Sequence, residues 1–279
     1  MPPHAAAALR DRPGTRFQVV VLGASAVLFA TLSAATTRAQ PWSEGRPRWF
    51  VSTKSDVGFA YLRPRVGTGY GQPHHFWGGV EANPILSSKS TGAYAGVRFE
   101  HPIVELRGGA LYFYSFRRSF LPLQESYDRR DVELIIDGQL ANYVAWSSEL
   151  ELNVPVGFGT IHGESEVIRV AHAPAGRATY LESIPAVIHG RWATREQLGY
   201  SFPIPPVEGL SLGLVGEAIW IPERDDTVIW RGGATVRWWL YDTLQLRMTF
   251  IPVISSPDRL GLQGGDFGEI GIRHFWATK

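Results

Sequence analysis

Hydrophobic and polar residues alternate one by one in several long stretches of the sequence, which is the pattern of a β-strand with two different faces. In the segment 235–250, Trp238 and Leu246 fall on one face, whereas Arg237 and Arg247 fall on the other. Helical spacing is not sustained, although 131–146 is ambiguous. The pattern therefore predicts an all-β protein. The same alternation recurs in 95–116, 149–158, 210–220 and 269–276.

The connections between these stretches are of two kinds. Tight connections are predicted at 101–102, 147–148 and 242–243, and long polar connections at 117–130, 163–185 and 255–266. Along an up-and-down meander, tight and long connections alternate for most of the chain. We therefore expect short turns on one rim of a barrel and long loops on the other, which is typical of barrels that cross a membrane.

The alternation does not by itself say which face lies inside. A soluble barrel would bury the aliphatic face, whereas a membrane barrel would present that face to lipid and place the arginines in its lumen. Aromatic residues near strand ends favour the membrane, because Trp and Tyr prefer the bilayer interface. They are expected on one common rim. The predicted interface aromatics are Phe99, Trp146, Trp238, Tyr241 and Trp276.

The polar face carries charges of both signs in equal number. A charge in a narrow lumen needs a partner, and balanced signs supply partners. We therefore expect these side chains to line the lumen. The candidates are Arg98, Glu100, Glu105, Arg107, Glu149, Glu151, Glu217, Arg231, Arg237, Arg247, Glu269 and Arg273.

The first residues have the order of an export signal. Arg10, Arg12 and Arg16 precede the apolar run 17–35, and Thr37-Arg38-Ala39 is a small-x-small cleavage site. We therefore predict a signal peptide at 1–39 and one barrel domain at 40–279, with a retained signal anchor as the alternative. Cleavage leaves no basic surplus for nucleic acid, and the absence of cysteine excludes a disulfide framework.

The last strand resembles the terminal signal of bacterial outer-membrane β-barrel proteins. Glu269, Gly271 and the aromatic Trp276 match that signal, whereas His274 stands where a hydrophobic residue is usual. The resemblance implies a bacterial outer-membrane location, contact with outer-membrane lipid, and recognition of the last strand by the insertion machinery. It extends to no more specific family.

In lipid, every backbone polar group must be paired within the protein, and strands achieve this only in a closed barrel. The predicted fold is therefore a closed antiparallel transmembrane up-and-down β-barrel. We expect about twelve strands, with ten possible, and a monomer. The segment 56–66 is predicted as the first or second strand.

The sequence offers few residues for catalysis or metal binding. His74 and His75 are neighbours, so in a strand they would point to opposite faces, and a polar turn is the simpler interpretation. The glycine pairs 108–109 and 232–233 fit relief of curvature better than a phosphate cradle. We predict no catalytic residue, metal or cofactor. Residues considered for catalysis, without any recognised signature, are His162, His189, Ser165, Ser183 and Ser201.

Three functions follow from this fold. The first is a passive channel or transporter for small hydrophilic solutes, in which the charged face lines an open pore. The alternative is a structural or surface-interaction barrel whose lumen is plugged by paired charges. An outer-membrane enzyme comes third. A barrel of about twelve strands lies near the border between open and filled lumens.

Overall fold

The computed structural model describes residues 45–58, 61–87, 90–116, 120–133, 142–181, 183–225, 227–260 and 269–278. The predicted signal peptide lies outside these residues. The elements are β1 (Arg48–Gly58), β2 (Tyr61–Gln72), β3 (Phe76–Ser87), β4 (Ser90–Glu100), β5 (Val104–Ser115), β6 (Phe120–Pro122), α1 (Arg129–Glu133), β7 (Asn142–Val156), β8 (Gly159–Val170), β9 (Arg177–Leu181), β10 (Ala186–Ile188), β11 (Trp192–Pro203), β12 (Leu210–Ile221), β13 (Thr227–Tyr241), β14 (Leu244–Phe250), β15 (Val253–Ser255) and β16 (Glu269–Ala277).

Twelve of the strands form one closed antiparallel barrel, which confirms the predicted fold and strand number. Their order around the barrel is β1, β2, β3, β4, β5, β7, β8, β11, β12, β13, β14 and β16. The barrel closes because β16 pairs with β1, the first strand, as well as with β14. The short β15 pairs only with the beginning of β13.

The connections sort onto two rims, as expected. The terminal rim, where β1 begins and β16 ends, has the short connections 73–75, 101–103, 157–158, 204–209 and 242–243. The opposite rim, called here the loop rim, has the long connections 116–141, 171–191 and 251–268, with short ones at 59–60, 88–89 and 222–226. His74 and His75 lie in the turn 73–75, in agreement with the simpler interpretation.

Three sequence-based boundaries were wrong. No turn occurs at 147–148, because β7 runs through both serines, and Ser147 donates a hydrogen bond to Glu166 on the neighbouring strand. The segment 163–185 is not all loop, because β8 extends to Val170. The segment 56–66 contains the end of β1 and the beginning of β2. The ambiguous segment begins with the short helix α1 and ends within β7.

The two faces of the wall differ as a membrane barrel requires. On the outside, Leu214 is 70% exposed, whereas the inward Glu217 on the same strand is 3% exposed. The outer surface of the strands is lined by Val, Leu, Ile, Phe, Tyr and Trp side chains, such as Val97, Leu198 and Ile272. Among the residues described, no helix is both long and apolar enough to cross a membrane.

A second, three-stranded sheet of β6, β9 and β10 lies against the interior wall near the loop rim. We call this sheet, with its turn 183–185, the plug. Leu181, Ile184 and Ile188 from the plug pack against an apolar collar on the barrel wall. The collar consists of Ile85, Tyr94, Leu111, Phe113, Tyr143, Ala145, Ile168, Val170, Ala193, Ile219, Ile221 and Ile229, which come from eight of the barrel strands.

Candidate functional site in the barrel lumen

The interior wall between the plug and the terminal rim is densely charged. Strand alternation alone places these side chains, since every second residue of each strand points inward. Of the twelve predicted lumen residues, all except Glu269 have described side chains, and these lie on the interior side of the wall. For Glu269 the structure gives the backbone pairing with Thr249 on β14.

Arg98 on β4 is the centre of a cluster of ion pairs. Its guanidinium lies 2.9 Å from a carboxylate oxygen of Glu81, 2.8 Å from one of Glu105 and 2.9 Å from one of Glu100. The indole Nε1 of Trp77 donates a further 2.7 Å hydrogen bond to Glu100. Arg98 is 5% exposed, so these bonds replace its hydration.

Two further arginines bind carboxylates across neighbouring strands. Arg195 on β11 forms ion pairs with Glu164 and Glu166 on β8. Arg231 on β13 lies 3.0 Å from Glu217 on β12. Since Arg231 also donates a 2.7 Å bond to the carbonyl of a plug proline, Pro185, it fixes the plug to the wall as well.

Arg107 on β5 pairs with Glu149 on β7 in the same way. Two groups of three carboxylates lie close enough to share a metal ion, one with Glu105, Glu149 and Glu151, the other with Glu149, Glu164 and Glu166. Arginines already neutralise most members of both groups. The simplest interpretation of the two groups is therefore ionic pairing within the wall.

A different arrangement occurs on the five adjacent strands β13, β14, β16, β1 and β2. This cationic wall carries Arg237, Arg247, Arg273, Lys54, Arg63 and Arg65. Asp56 is the carboxylate shared among them, and it accepts bonds of 2.5 and 2.9 Å from Arg273 and one of 3.4 Å from Arg65. Among the side chains that the structure describes, the cations on this wall therefore exceed the carboxylates available to them.

Arg63 and Arg237 form no ion pair with any residue that the structure describes. The Nε of Arg237 is buried and also lacks a hydrogen-bond partner. A buried guanidinium without a partner is costly, so such groups are usually satisfied by a ligand or by water. These two arginines are the part of the wall that is available to a solute.

The opposite wall is acidic. Strand β7 lies half-way round the barrel from β16, and with β8 it contributes Glu149, Glu151, Glu164 and Glu166. The charges of Glu151 and Glu164 are near enough to act on Arg237 across the interior. Between the two walls lies a cavity of about 530 Å³, which the plug residues Tyr180, Ser183 and Pro185 bound on the loop-rim side.

A buried ion pair among the loop-rim connections holds the plug in place from the loop-rim side. Arg224, in the connection after β12, binds both carboxylate oxygens of Asp258 at 2.6 Å. It also donates to the backbone carbonyls of Val187 in the plug, at 3.3 Å, and of Glu125, at 2.8 Å. Three loop-rim segments are thereby joined around one guanidinium, and we call Arg224 with Asp258 the latch.

Two loop residues beside the latch, His189 and Tyr127, have shifted pKa values. The ring nitrogen Nε2 of His189 lies 3.1 Å from the hydroxyl of Tyr127. Burial, together with the charge of Arg224, lowers the pKa of His189, so its imidazole is neutral near pH 7. Burial raises the pKa of Tyr127, so its hydroxyl keeps its proton.

The predicted interface aromatics do not share one rim. Phe99, Trp238, Tyr241 and Trp276 lie near the terminal rim, close to the ends of their strands. Trp146 pairs with Arg169, one residue before the end of β8, and therefore lies towards the loop rim. The prediction of a common rim failed for this residue because it depended on the wrong turn at 147–148.

Sequence reasoning missed about half of the charged lumen. Glu164 and Glu166 were assigned to a loop, although each second residue from Glu164 to Val170 points inward. That alternation was the available signal. Other missed residues are Lys54, Asp56, Arg63, Arg65, Glu81 and Arg195.

The residues considered for catalysis separate in the structure, except for one pair. His162 and Ser201 meet inside the barrel, with Ser201 Oγ 2.5 Å from His162 Nε2. Asn153, which sequence reasoning did not consider, lies 2.6 Å from the other ring nitrogen. Ser165 bonds Glu196 instead, and Ser183 belongs to the plug.

No protein-family model matches the chain, and no curated protein matches it. Among solved structures, it is similar to the NanC porin in a rhombohedral crystal form, at 9% identity over 83% of this chain and 98% of that one, with a TM-score of 0.36. It is also similar to CdiB from Acinetobacter baumannii (9%, 84% and 60%, TM-score 0.39) and to OccK10 (OpdN) from Pseudomonas aeruginosa (12%, 84% and 99%, TM-score 0.26). Identities of this size concern the fold alone, and TM-scores below 0.5 say nothing about substrate or location.

Proposed function

We propose that the chain is a monomeric outer-membrane β-barrel that admits small hydrophilic solutes to its lumen as a passive channel. A location in the bilayer is supported by the apolar outer surface of the barrel, whose area far exceeds that of the apolar patches of soluble monomers. A location in the outer membrane is supported by the closed barrel and by the predicted export signal at 1–39. N-terminal sequencing of the membrane-extracted protein should then begin at Gln40.

One observation carries the channel proposal: the cavity of about 530 Å³ is lined by Arg63 and Arg237, for which the described wall offers no carboxylate partner. A lumen that served only to stabilise the barrel would give each arginine a carboxylate partner, as it does for Arg98. Polar solutes and water can satisfy Arg63 and Arg237 in transit. Outer-membrane lipid and, through the last strand, the insertion machinery would be its partners.

A second candidate function is a sealed structural or surface-interaction barrel. The observation that favours it is the plug, in which Leu181, Ile184 and Ile188 are fully buried against the collar. A plug held by this much apolar contact would keep the conductance of the resting barrel small. The two functions differ in whether the plug is a gate or a permanent part of the core.

Planar-bilayer recording tests the proposal. The protein is compared with a variant in which 178–188 is replaced by a Gly/Ser linker of equal length. We expect small, brief openings from the natural chain and a several-fold larger, steadier conductance from the linker variant. Insertion is verified by gel mobility without boiling. If both folded barrels are silent, the channel proposal is wrong and the sealed barrel remains.

The latch provides a milder version of the same experiment. In Arg224→Gln, Asp258 and the carbonyl of Val187 lose their cationic partner, so the plug should open more often. Arg259→Gln is the matched control, because this neighbouring arginine is exposed and lies outside the latch. We expect more frequent openings in the first variant and unchanged openings in the second.

A further inference from the structure

Three polar residues near the terminal rim form one directional chain of hydrogen bonds. Asn153 on β7, His162 on β8 and Ser201 on β11 come from three adjacent strands, and all three point inward. Asn153 Oδ1 lies 2.6 Å from His162 Nδ1, and Ser201 Oγ lies 2.5 Å from His162 Nε2. A hydroxyl, an imidazole and a side-chain oxygen in this order are the elements of a nucleophile, a base and an orienting group.

A fourth residue fixes the direction of the chain. Asn153 Nδ2 donates a 3.2 Å bond to Glu151, so its Oδ1 is the atom that faces the imidazole. An amide oxygen only accepts, so Nδ1 of His162 must carry the proton. The lone pair of Nε2 then points to Ser201, as a general base requires.

The surroundings of Ser201 are unusually empty of side chains. Gly199 precedes it on the same inward face, and Gly213 pairs with it on β12. A Cβ at Gly213 would lie 3.0 Å from the Cβ of Ser201, so any larger residue would crowd the hydroxyl. His162 and Gly199 line the 530 Å³ cavity, so the imidazole is reached from the lumen, and Ser201, which is 8% exposed, is bonded to it.

A developing negative charge would also find a partner there. His162, Arg237 and Arg247 all line the cavity, so both cations face the same space as the imidazole. Arg237 has a buried Nε without a hydrogen-bond partner among the described residues. A preorganised donor of this kind stabilises the oxyanion of a tetrahedral intermediate.

We propose that Ser201, His162 and Asn153 form a hydrolytic site for small hydrophilic carboxylic esters inside the lumen. Ser201 Oγ forms a bond to the ester carbonyl carbon while its proton passes to His162 Nε2. The bond to the leaving oxygen then breaks, and that oxygen takes the proton as an alcohol. Water attacks the acyl-serine in a second round, which gives the carboxylic acid and restores the serine.

The alternative is that three inward polar residues only satisfy one another. The two interpretations differ in reactivity, because a purely structural serine is not nucleophilic. The natural chain, folded in detergent, is therefore treated with a small fluorophosphonate, and the labelled residue is located by mass spectrometry. We expect the label on Ser201. A folded barrel whose Ser201 stays unlabelled would overturn the proposal.

Ester hydrolysis provides the second measurement, with p-nitrophenyl acetate as the probe. We expect Ser201→Ala and His162→Ala to lower kcat/KM by about 100-fold or more, since general-base catalysis contributes this much. Ser211→Ala is the matched control, because Ser211 also points inward and bonds only the carbonyl of Arg237. It should leave both labelling and hydrolysis unchanged.

Asn153 is a positioning residue in this scheme, and its test separates positioning from stability. Asn153→Asp retains an acceptor for Nδ1 and should keep most of the hydrolysis, whereas Asn153→Leu should lower kcat with little change in KM. Gel mobility reports whether each barrel is folded. Equal rates for the natural chain and a folded Ser201→Ala barrel would refute the hydrolytic site, whatever the conductance of the lumen.

Discussion

Arg98 and Arg237 both point into the lumen of one barrel, but their surroundings are opposite. Arg98 is bound by three carboxylates and is almost completely buried. Arg237 lines the cavity and forms no ion pair with a described residue. The first arginine sits among acidic residues of β3, β4 and β5, whereas the second stands on the cationic wall.

This difference shows that balanced charge along a sequence does not mean local pairing. The acids and bases of the lumen are equal enough in number to neutralise one another, yet β13, β14, β16, β1 and β2 carry an excess of cations, whereas most carboxylates of β7 and β8 are paired with Arg107 and Arg195. Where opposite charges are neighbours, they stabilise the wall. Where they are separated by the cavity, they remain available to a solute.

The largest effect is expected from removing Arg98. In Arg98→Met, the carboxylates of Glu81 and Glu105 stay buried without their cation, which should lower the free energy of unfolding by about 3–5 kcal/mol. Arg237→Met strands no carboxylate that the structure describes, so its effect should stay below about 1 kcal/mol. Urea unfolding in lipid vesicles, followed by tryptophan fluorescence, measures both. Equal losses would remove the distinction between the two regions.

A smaller effect tests whether the cationic wall is truly interior. Leu246 on β14 points outward, whereas its neighbour Gln245 is 6% exposed and points inward. Leu246 pairs with Trp238 near the terminal rim, so Leu246→Arg should cost less insertion free energy than the roughly 2–4 kcal/mol of a mid-membrane site, but still more than the inward Gln245→Arg. Folding yields into vesicles, read by gel mobility without boiling, compare the two. Similar yields would mean that the faces have been assigned incorrectly.

The barrel could be predicted because its signal is local. Period-2 alternation assigns the two faces of a strand from neighbours in sequence, and closure follows from the need to pair backbone groups in lipid. The turn at 147–148 was mispredicted because serines favour turns when only local preference is considered. In the barrel, the bond from Ser147 to Glu166 and pairing on both sides of β7 override that preference.

The plug could not be predicted in the same way. Its short apolar strands, β9 and β10, have no long alternation of their own. Their partners in the collar come from eight strands spread over the chain, so only the folded barrel brings the two surfaces together. The same reason hides the chain of Asn153, His162 and Ser201, which depends on the register of three strands.

The smallest expected effect concerns ion selectivity, and it tests Arg237, which has no ion pair among the described residues. Opposite walls of charge give the natural lumen little net preference between cations and anions. Converting Arg237 and Arg247 to Glu reverses two charges on the cationic wall, so the reversal potential in a salt gradient should shift towards cations. Arg237 has no ion-pair partner among the described residues, whereas Arg247 has an interaction of its own. Each single variant, Arg237→Glu and Arg247→Glu, is therefore measured beside the double one, and the folded barrel should persist in Arg237→Glu. The control is Arg191→Glu, which substitutes an exposed loop residue. Glu100→Arg is unsuitable as a control, since it would disturb the Arg98 cluster. If Arg237→Glu unfolds the barrel rather than changing selectivity, the cationic wall is a paired structural element like the Arg98 cluster, and the contrast between the two arginines is lost.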